Sequence, residues 1–182
     1  MKILPENFEL DRYGLHVRLV REEDAEFIVK LRTDPKLSRF INKTENDVSK
    51  QKEWIREYKK REDDGRDYYF IYEYNGVAFA VNRIYDRSET KAVTGSWVVK
   101  PNTELPQMFA TLLIEREIYF EDLQYDEDYF TVDKGNVQVC RLHQKLGASI
   151  IAENDKEYQF VQCKDSFYKN REKFIRLLGL TK

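Results

Sequence analysis

The stretch Asn136-Val137-Gln138-Val139-Cys140-Arg141-Leu142-His143-Gln144-Lys145-Leu146-Gly147-Ala148 decides how the rest of the chain is read. It opens on an asparagine, a side chain that accepts hydrogen bonds from the free amides of a helix's first turn. It closes on a glycine, the residue that most readily takes the left-handed conformation ending a helix. The spacing predicts a helix over Val137–Leu146, preceded by a strand at Tyr129–Val132 and followed by strands at Ser149–Ala152 and Tyr158–Gln162. A last helix is expected over Phe167–Leu178.

Working toward the N-terminus, Pro106–Leu123 reads as a helix with Phe109, Leu112, Leu113, Phe120 and Leu123 along one stripe. Before it, Ala92–Val99 reads as a strand ending at Lys100-Pro101-Asn102. Tyr68–Tyr74 and Val77–Tyr85 flank Asn75-Gly76, a dipeptide that favours a tight hairpin because both residues tolerate positive φ. Asn46 or Asp47 can cap a helix running to about Arg61, with Val48, Gln51, Ile55 and Tyr58 inward and Trp54 beside them. Asp24–Arg32 reads as a helix stopped at Asp34-Pro35, and residues 15–20 alternate as a strand. This order predicts an α+β fold with a mostly antiparallel sheet.

The chain has 182 residues, 41% hydrophobic and 35% charged, with neither repeat nor linker, so one domain spanning 1–182 is expected. A net charge of −2 offers no basic excess for nucleic acid. The N-terminus lacks the apolar core of a signal peptide, and no apolar run approaches the ~18–20 residues of a membrane span. Two cysteines, Cys140 and Cys163, and two well-separated histidines, His16 and His143, give no metal-ligand spacing. A cytoplasmic location with reduced thiols is expected.

The junction from Val98 through Lys100-Pro101-Asn102 to Pro106 can carry chemistry of its own. Proline is favoured at the first helical position. The amides of Gln107, Met108, Phe109 and Ala110 would then point out of a helix start, which suits phosphate. No glycine lies between Gly95 and Gly135, so there is no P-loop or dinucleotide fingerprint.

The Asn136–Gly147 segment resembles the second signature of the GNAT superfamily of N-acetyltransferases. That signature is an Asn after a strand, an amphipathic helix, an aromatic hydroxyl seven residues on, then Lys, one residue and Gly. The order of elements is similar over nearly the whole chain. The resemblance implies a mixed sheet flanked by helices, with its central strands splayed to admit acetyl-CoA. It implies that the helix at Pro106 cradles the pyrophosphate and that the arm pairs near Trp97 and Val98. Asn136 would bond the arm from the other side, and Arg141 and Lys145 would meet the nucleotide end. Two departures stand out. Gln107, Met108 and Phe109 occupy the family's glycine-rich turn, and His143 replaces its catalytic Tyr. An imidazolium can also donate a proton, so His143 is the expected acid. Ser96, Glu73 and Asp133 are candidates for handling the proton of the amine.

The first two helices and their loop wall the acceptor site in this superfamily. Arg32-Thr33-Asp34-Pro35 and the Trp-bearing helix resemble the branch of ribosomal-protein N-terminal and nucleotide-amino-sugar acetyltransferases. Asn42, Thr44 and Gln51 beside Trp54 and Tyr58 suit a sugar, with Tyr69 and Arg83 extending the pocket. The expected activity is acetyl transfer from acetyl-CoA to a small-molecule primary amine, foremost on a nucleotide-linked amino sugar. Protein N-termini, polyamines or antibiotics are alternative acceptors, and a non-catalytic binding module is the alternative class. The partners expected are that acceptor, with no nucleic acid, membrane or metal; a homodimer is compatible with the sequence.

Overall fold

Tyr68, Phe70 and Tyr72 pack into one hydrophobic core, and Tyr69 and Ile71 between them pack into another. A strand buried on both faces must lie inside a sheet covered by helices on each side. In the computed structural model, which describes residues 1–181, that strand is β3 (Tyr68–Tyr74). Lys182 lies outside the described residues.

The elements run β1 (Glu9–Arg12), β2 (Leu15–Leu19), α1 (Ala25–Thr33), α2 (Val48–Asp63), β3, β4 (Val77–Tyr85), β5 (Val93–Val99), α3 (Leu105–Glu117), β6 (Glu127–Asp133), α4 (Val137–Lys145), β7 (Ser149–Glu153), β8 (Glu157–Cys163) and α5 (Lys164–Leu178). Eight strands form one sheet in the order β1-β2-β3-β4-β5-β6-β8-β7. Every pairing is antiparallel except β5 with β6. The α+β, mostly antiparallel architecture expected from the sequence is the one observed. Helices α1 and α2 cover one face, through Ile28, Leu31, Ile55 and Tyr58. Helices α3 and α5 cover the other, and α4 packs on the β6–β8 end of the sheet through Cys140.

Several local readings need correction. Strand β1 was not anticipated. Its turn is Tyr13-Gly14, with φ of +54° and +73°, and a tyrosine gives no hairpin signal. Tyr13 holds this conformation because its hydroxyl is anchored by buried Glu117 and by Arg171. Asn75-Gly76 does form the expected hairpin, at φ +49° and +73°. Asp47 caps α2, accepting from the amides of Ser49 and Lys50 at 2.9 and 3.1 Å. Asn136 precedes α4 but makes no side-chain capping bond, so its amide group is uncommitted. The long helix begins at Leu105 rather than Pro106, and its end widens into a π-turn over Ile118–Asp122. It is also not striped. Residues 110–120 are all buried, Glu115, Arg116 and Glu117 included.

Gly147 takes φ +99°, and the amide of Ala148 reaches back to the His143 carbonyl at 3.0 Å. A Cβ at this position would clash with Ser166 Oγ and sit 2.6 Å from Asn170 Nδ2 and 2.9 Å from the Ser166 carbonyl oxygen. The glycine is therefore required twice, by backbone conformation and by the approach of α5. Gly147→Ala is expected to destabilise the protein by about 2 kcal/mol or more, lowering Tm by roughly 4–8 °C in thermal denaturation.

Candidate active site

Strands β5 and β6 run parallel and share a single register pair, Val93 with Tyr129. Beyond it they part. The joined end is stitched by side chains. Tyr119 bonds the carbonyls of Ala92 and Glu127 at 3.2 and 2.8 Å, and the Thr94 hydroxyl lies 3.1 and 3.0 Å from the two carboxylate oxygens of Asp128. The open end leaves the β5 edge from Gly95 to Val99 without a strand partner on the β6 side. Sequence reading expected splayed central strands, and this is their geometry.

A cleft of about 800 Å³ fills the splay. Trp97, Val98, Met108, Phe109, Asn136, Arg141, His143 and Lys145 line it. Trp97 is pinned by its indole N–H to Thr111 Oγ1 at 2.9 Å. Phe109 stacks on Phe174 of α5, with ring centroids 5.2 Å apart. Gln107 and Ala110 are not among the lining residues, and Ala110 is fully buried. Because α3 starts one residue earlier than expected, the Met108 amide is already bonded to the Glu104 carbonyl at 3.0 Å. Pro106 has no N–H, and Phe109 and Ala110 lie within the hydrogen-bonded body of the helix. The first turn therefore offers the amides of Leu105 and Gln107, rather than the four predicted.

A second cavity of about 360 Å³ adjoins the cleft and shares Arg32, Asn42 and Ser96 with it. Asn42, Trp54, Tyr69 and Arg83, all singled out from sequence, line it together. The order across the sheet explains why: Tyr69 pairs with Arg83, and Arg83 with Gly95. The register between β4 and β5 shifts after Val81, and Ser96 takes φ +53° there. Buried Asp67 holds the Arg83 guanidinium, which lies 5.1 Å from the Trp54 ring and 4.8 Å from the Tyr85 ring. Arg32 Nε donates to Thr44 Oγ1 at 2.7 Å and Nη2 to the Asn42 carbonyl at 3.2 Å, holding the loop against α1. The Tyr69 hydroxyl is buried without a partner. Burial raises its pKa, with the charges of Arg32 and Arg83 opposing, so it stays a protonated donor.

A family model for the acetyltransferase (GNAT) domain matches residues 15–149. The chain belongs to the GNAT acetyltransferase family. Among solved structures it is similar to apo FdhC, described as a nucleotide-linked sugar GNAT, at 35% identity and a TM-score of 0.84, covering 95% of this chain and 99% of that one. It is also similar to Mycobacterium smegmatis RimJ in complex with CoA-disulfide, at 16% identity, TM-score 0.78 and 98% of both chains. A third is the ribosomal-protein-S5-alanine acetyltransferase from Vibrio fischeri, at 10% identity, TM-score 0.76, and 88% and 99% of the two chains. At those two lower identities the likeness is one of fold. None of the curated proteins matches the chain. No described helix is long and apolar enough to cross a membrane, and among the described residues no cluster has the makeup of a metal site.

In this GNAT chain His143 is 7% exposed, and its imidazole sits against Phe130 with centroids 4.5 Å apart. Its Nδ1 is buried without a partner. Burial, reinforced by the Arg116 charge, lowers its pKa to about 3. The ring is neutral at neutral pH, so the imidazolium donor expected from sequence does not form in this environment. Glu73 is also displaced from the role considered for it. It pairs with Arg18 at 2.8 Å and lines neither cavity. Asp133 does line the cleft, with Oδ1 accepting from the Gly135 amide at 2.8 Å.

Sequence reading missed the buried charges beneath the cleft. Arg116 Nη1 lies 2.6 Å from Glu115 Oε2, and its Nε lies 3.0 Å from both Asp128 Oδ2 and Gln162 Oε1. Gln162 Nε2 in turn donates to the Leu146 carbonyl at 2.7 Å. A signal was present: Glu115-Arg116-Glu117 interrupts a helix that is apolar all round, and such a helix has no solvent face to put charges on.

His143 also sets a pH dependence. Its folded pKa lies below the ordinary 6.5, so the unfolded chain binds the extra proton between about 6.5 and 3. Its contribution to stability is complete above that window and is lost as pH falls through it, at up to about 1.4 kcal/mol per pH unit. His143→Phe keeps an aromatic ring against Phe130 and removes the titration. Tm measured from pH 7 down to pH 4 is expected to fall less steeply in the variant than in the wild type.

Proposed function

We propose that the chain is a single acetyltransferase domain over residues 1–182. Its proposed reaction moves an acetyl group from acetyl-CoA to the primary amine of a nucleotide-linked amino sugar. The observation that carries this reading is the meeting, at Ser96, of the splayed cleft with a cavity walled by aromatic rings and cationic groups. That cavity holds Arg32, Lys43, Lys50 and Arg83 against Glu45 and Asp47. Glu45 is paired with Lys50, Arg83 with buried Asp67, and Asp47 is committed to capping α2, which leaves Arg32 and Lys43 as the cations without a carboxylate partner among the described residues. Such a wall repels a polyamine and attracts a diphosphate. Trp54 and Tyr69 supply the aromatic faces, and Asn42 and the Tyr69 hydroxyl the hydrogen bonds, that a sugar requires. The 35% identity to a nucleotide-linked sugar GNAT over nearly the full length of both chains supports the same acceptor.

The residues present fit the cofactor. The unpartnered edge of β5 at Trp97 and Val98 has backbone groups available to the amides of an extended arm. Asn136, free of capping, faces the arm from the start of α4. The Leu105 and Gln107 amides at the start of α3, with Arg141 and Lys145, would meet the phosphates. Bound acetyl-CoA supplies a thioester carbonyl for the amine to attack and a thiolate to leave. Ser96, at the seam of the two cavities, holds the water that takes the proton of the amine.

The test is thiol release from acetyl-CoA against a panel of a nucleoside-diphosphate amino sugar, the free amino sugar, an N-terminal alanine peptide and spermidine. Turnover is expected to be fastest with the first. Arg32→Gln is expected to raise KM for the nucleotide sugar about tenfold or more, as loss of a charged hydrogen-bond donor does. Faster turnover of the peptide or the polyamine would overturn the proposed acceptor. No heat on titration with acetyl-CoA, together with no turnover, would overturn the enzyme itself.

A further inference from the structure

Beneath the cleft lie two carboxylates and one arginine, of which Glu115 and Arg116 line it and Asp128 backs them. Glu115, Arg116 and Asp128 are each at most 2% exposed. With both acids ionised, the group would carry a net negative charge out of contact with water, a state strongly disfavoured by lost solvation. One proton makes it neutral. The geometry says which acid takes it. Asp128 receives Arg116 Nε at 3.0 Å and the Thr94 hydroxyl at 3.0 and 3.1 Å from its two oxygens. Glu115 receives Arg116 Nη1 through Oε2 alone, and its Oε1 is buried with no partner. Glu115 is therefore the less satisfied anion. It also lines the cleft.

We propose that Glu115 is a catalytic acid of the transfer reaction, holding at the cleft floor the proton that the departing sulfur takes up. The inference rests on the acetyl-transfer reading above. As the amine nitrogen bonds to the carbonyl carbon and the C–S bond breaks, the electron pair of that bond stays on sulfur. The Oε1–H of Glu115 passes its proton to that sulfur, giving the free thiol. The carboxylate left behind keeps its bond to Arg116 and is reprotonated by the proton the amine released to water. The acid role that His143 cannot fill as a neutral ring thus falls to a neighbouring group on the same cleft. Three groups face Glu115: Arg116 from α3, Asp128 from β6 and Tyr72 from β3. Burial dominates over the opposing Arg116 charge, and Asp128 adds to it, so the carboxyl is pushed up to about 8. Such an acid is protonated at neutral pH and close to the ordinary thiol range, the match that makes proton transfer efficient.

Two measurements test the proposal. In the protein without cofactor, infrared difference spectra between pH 6 and pH 10 should show a protonated-carboxyl band titrating near 8 and absent from Glu115→Gln. In turnover, wild-type kcat should fall as pH rises through the same midpoint. Glu115→Gln should lower kcat about 100-fold or more, abolish that alkaline limb and leave KM for acetyl-CoA within about threefold, while Glu115→Asp should recover part of the rate. Gln keeps the size of the side chain and an oxygen for Arg116, so a purely structural role predicts unchanged kcat. That result in an active protein would overturn the acid role of Glu115 and leave the transferase reading standing. Absence of the infrared band in the wild type would overturn it too, whatever the acceptor. A wild type inert toward every amine would overturn the transferase reading and, with it, this role.

Discussion

The cleft exists because one buried clamp holds two parallel strands together at one end only. Thr94 on β5 reaches Asp128 on β6, Arg116 from α3 backs the aspartate, and Gln162 on β8 closes the set. Tyr119 adds a bridge between the backbones, just before β5 begins and at the first residue of β6. After Val93 and Tyr129 the two strands share no further register pair. In an ordinary sheet a gap of this kind would collapse, since unpaired backbone groups seek partners. Here the clamp fixes the apex, and the bulky residues of α3, with Trp97 bonded to Thr111, fill the space behind it. The edge left over is available to a ligand instead.

The same clamp explains why α3 carries charge in its middle. A helix under the apex of a splay is buried on every side, and a guanidinium there must be paired by other buried groups. Arg116 finds two carboxylates and an amide oxygen, and its plane also lies 4.9 Å from the Phe130 ring. Supplying two acids to one base creates an excess of negative charge that only a proton can cancel. One arrangement therefore has two consequences: it pins the strands together at the apex from which they part, and it stores a proton beside the space they enclose. A second buried glutamate, Glu117, the residue after Arg116, has no such excess. Arg12 and Arg171 both pair with it, and Tyr13 donates to it, so its role is to tie β1 and α5 to α3.

The elements were largely legible because their signals are local. The Asn75-Gly76 turn, the Asp47 cap and the Gly147 stop each act within a few residues. The exceptions were settled by distant contacts. β1 depends on Tyr13 being anchored by α3 and α5, which no window of sequence around it reveals. The residues proposed for the acceptor, Asn42, Trp54, Tyr69 and Arg83, were recognisable as a polar and aromatic set, and the structure brings them to one cavity. His143 was recognisable by position but not by chemistry. Its ionisation is set by Phe130, Phe160 and Arg116, which arrive from β6, β8 and α3. The start of α3 turned on one residue: beginning at Leu105 instead of Pro106 moves Met108 from a free amide to a bonded one.

Helix α4 shows how an element can be firmly held yet leave its working end free. Its C-terminal end is fixed three ways. The Gly147 backbone turns under α5, Ser166 Oγ donates to the Gly147 carbonyl at 2.6 Å, and Gln162 bonds the Leu146 carbonyl. Its N-terminal end lacks the side-chain cap that Asn136 was expected to give. A capping bond is worth about 1 kcal/mol, so leaving it unmade is a real cost to the free protein. That cost is offset if the Asn136 amide is kept for a ligand in the cleft it lines. Because Gln162 touches both Arg116 and the end of α4, the clamp at the apex also sets the height of this helix above the sheet. The position of Asn136 at the cleft is thus tied, through three residues, to the pair of strands whose parting made the cleft.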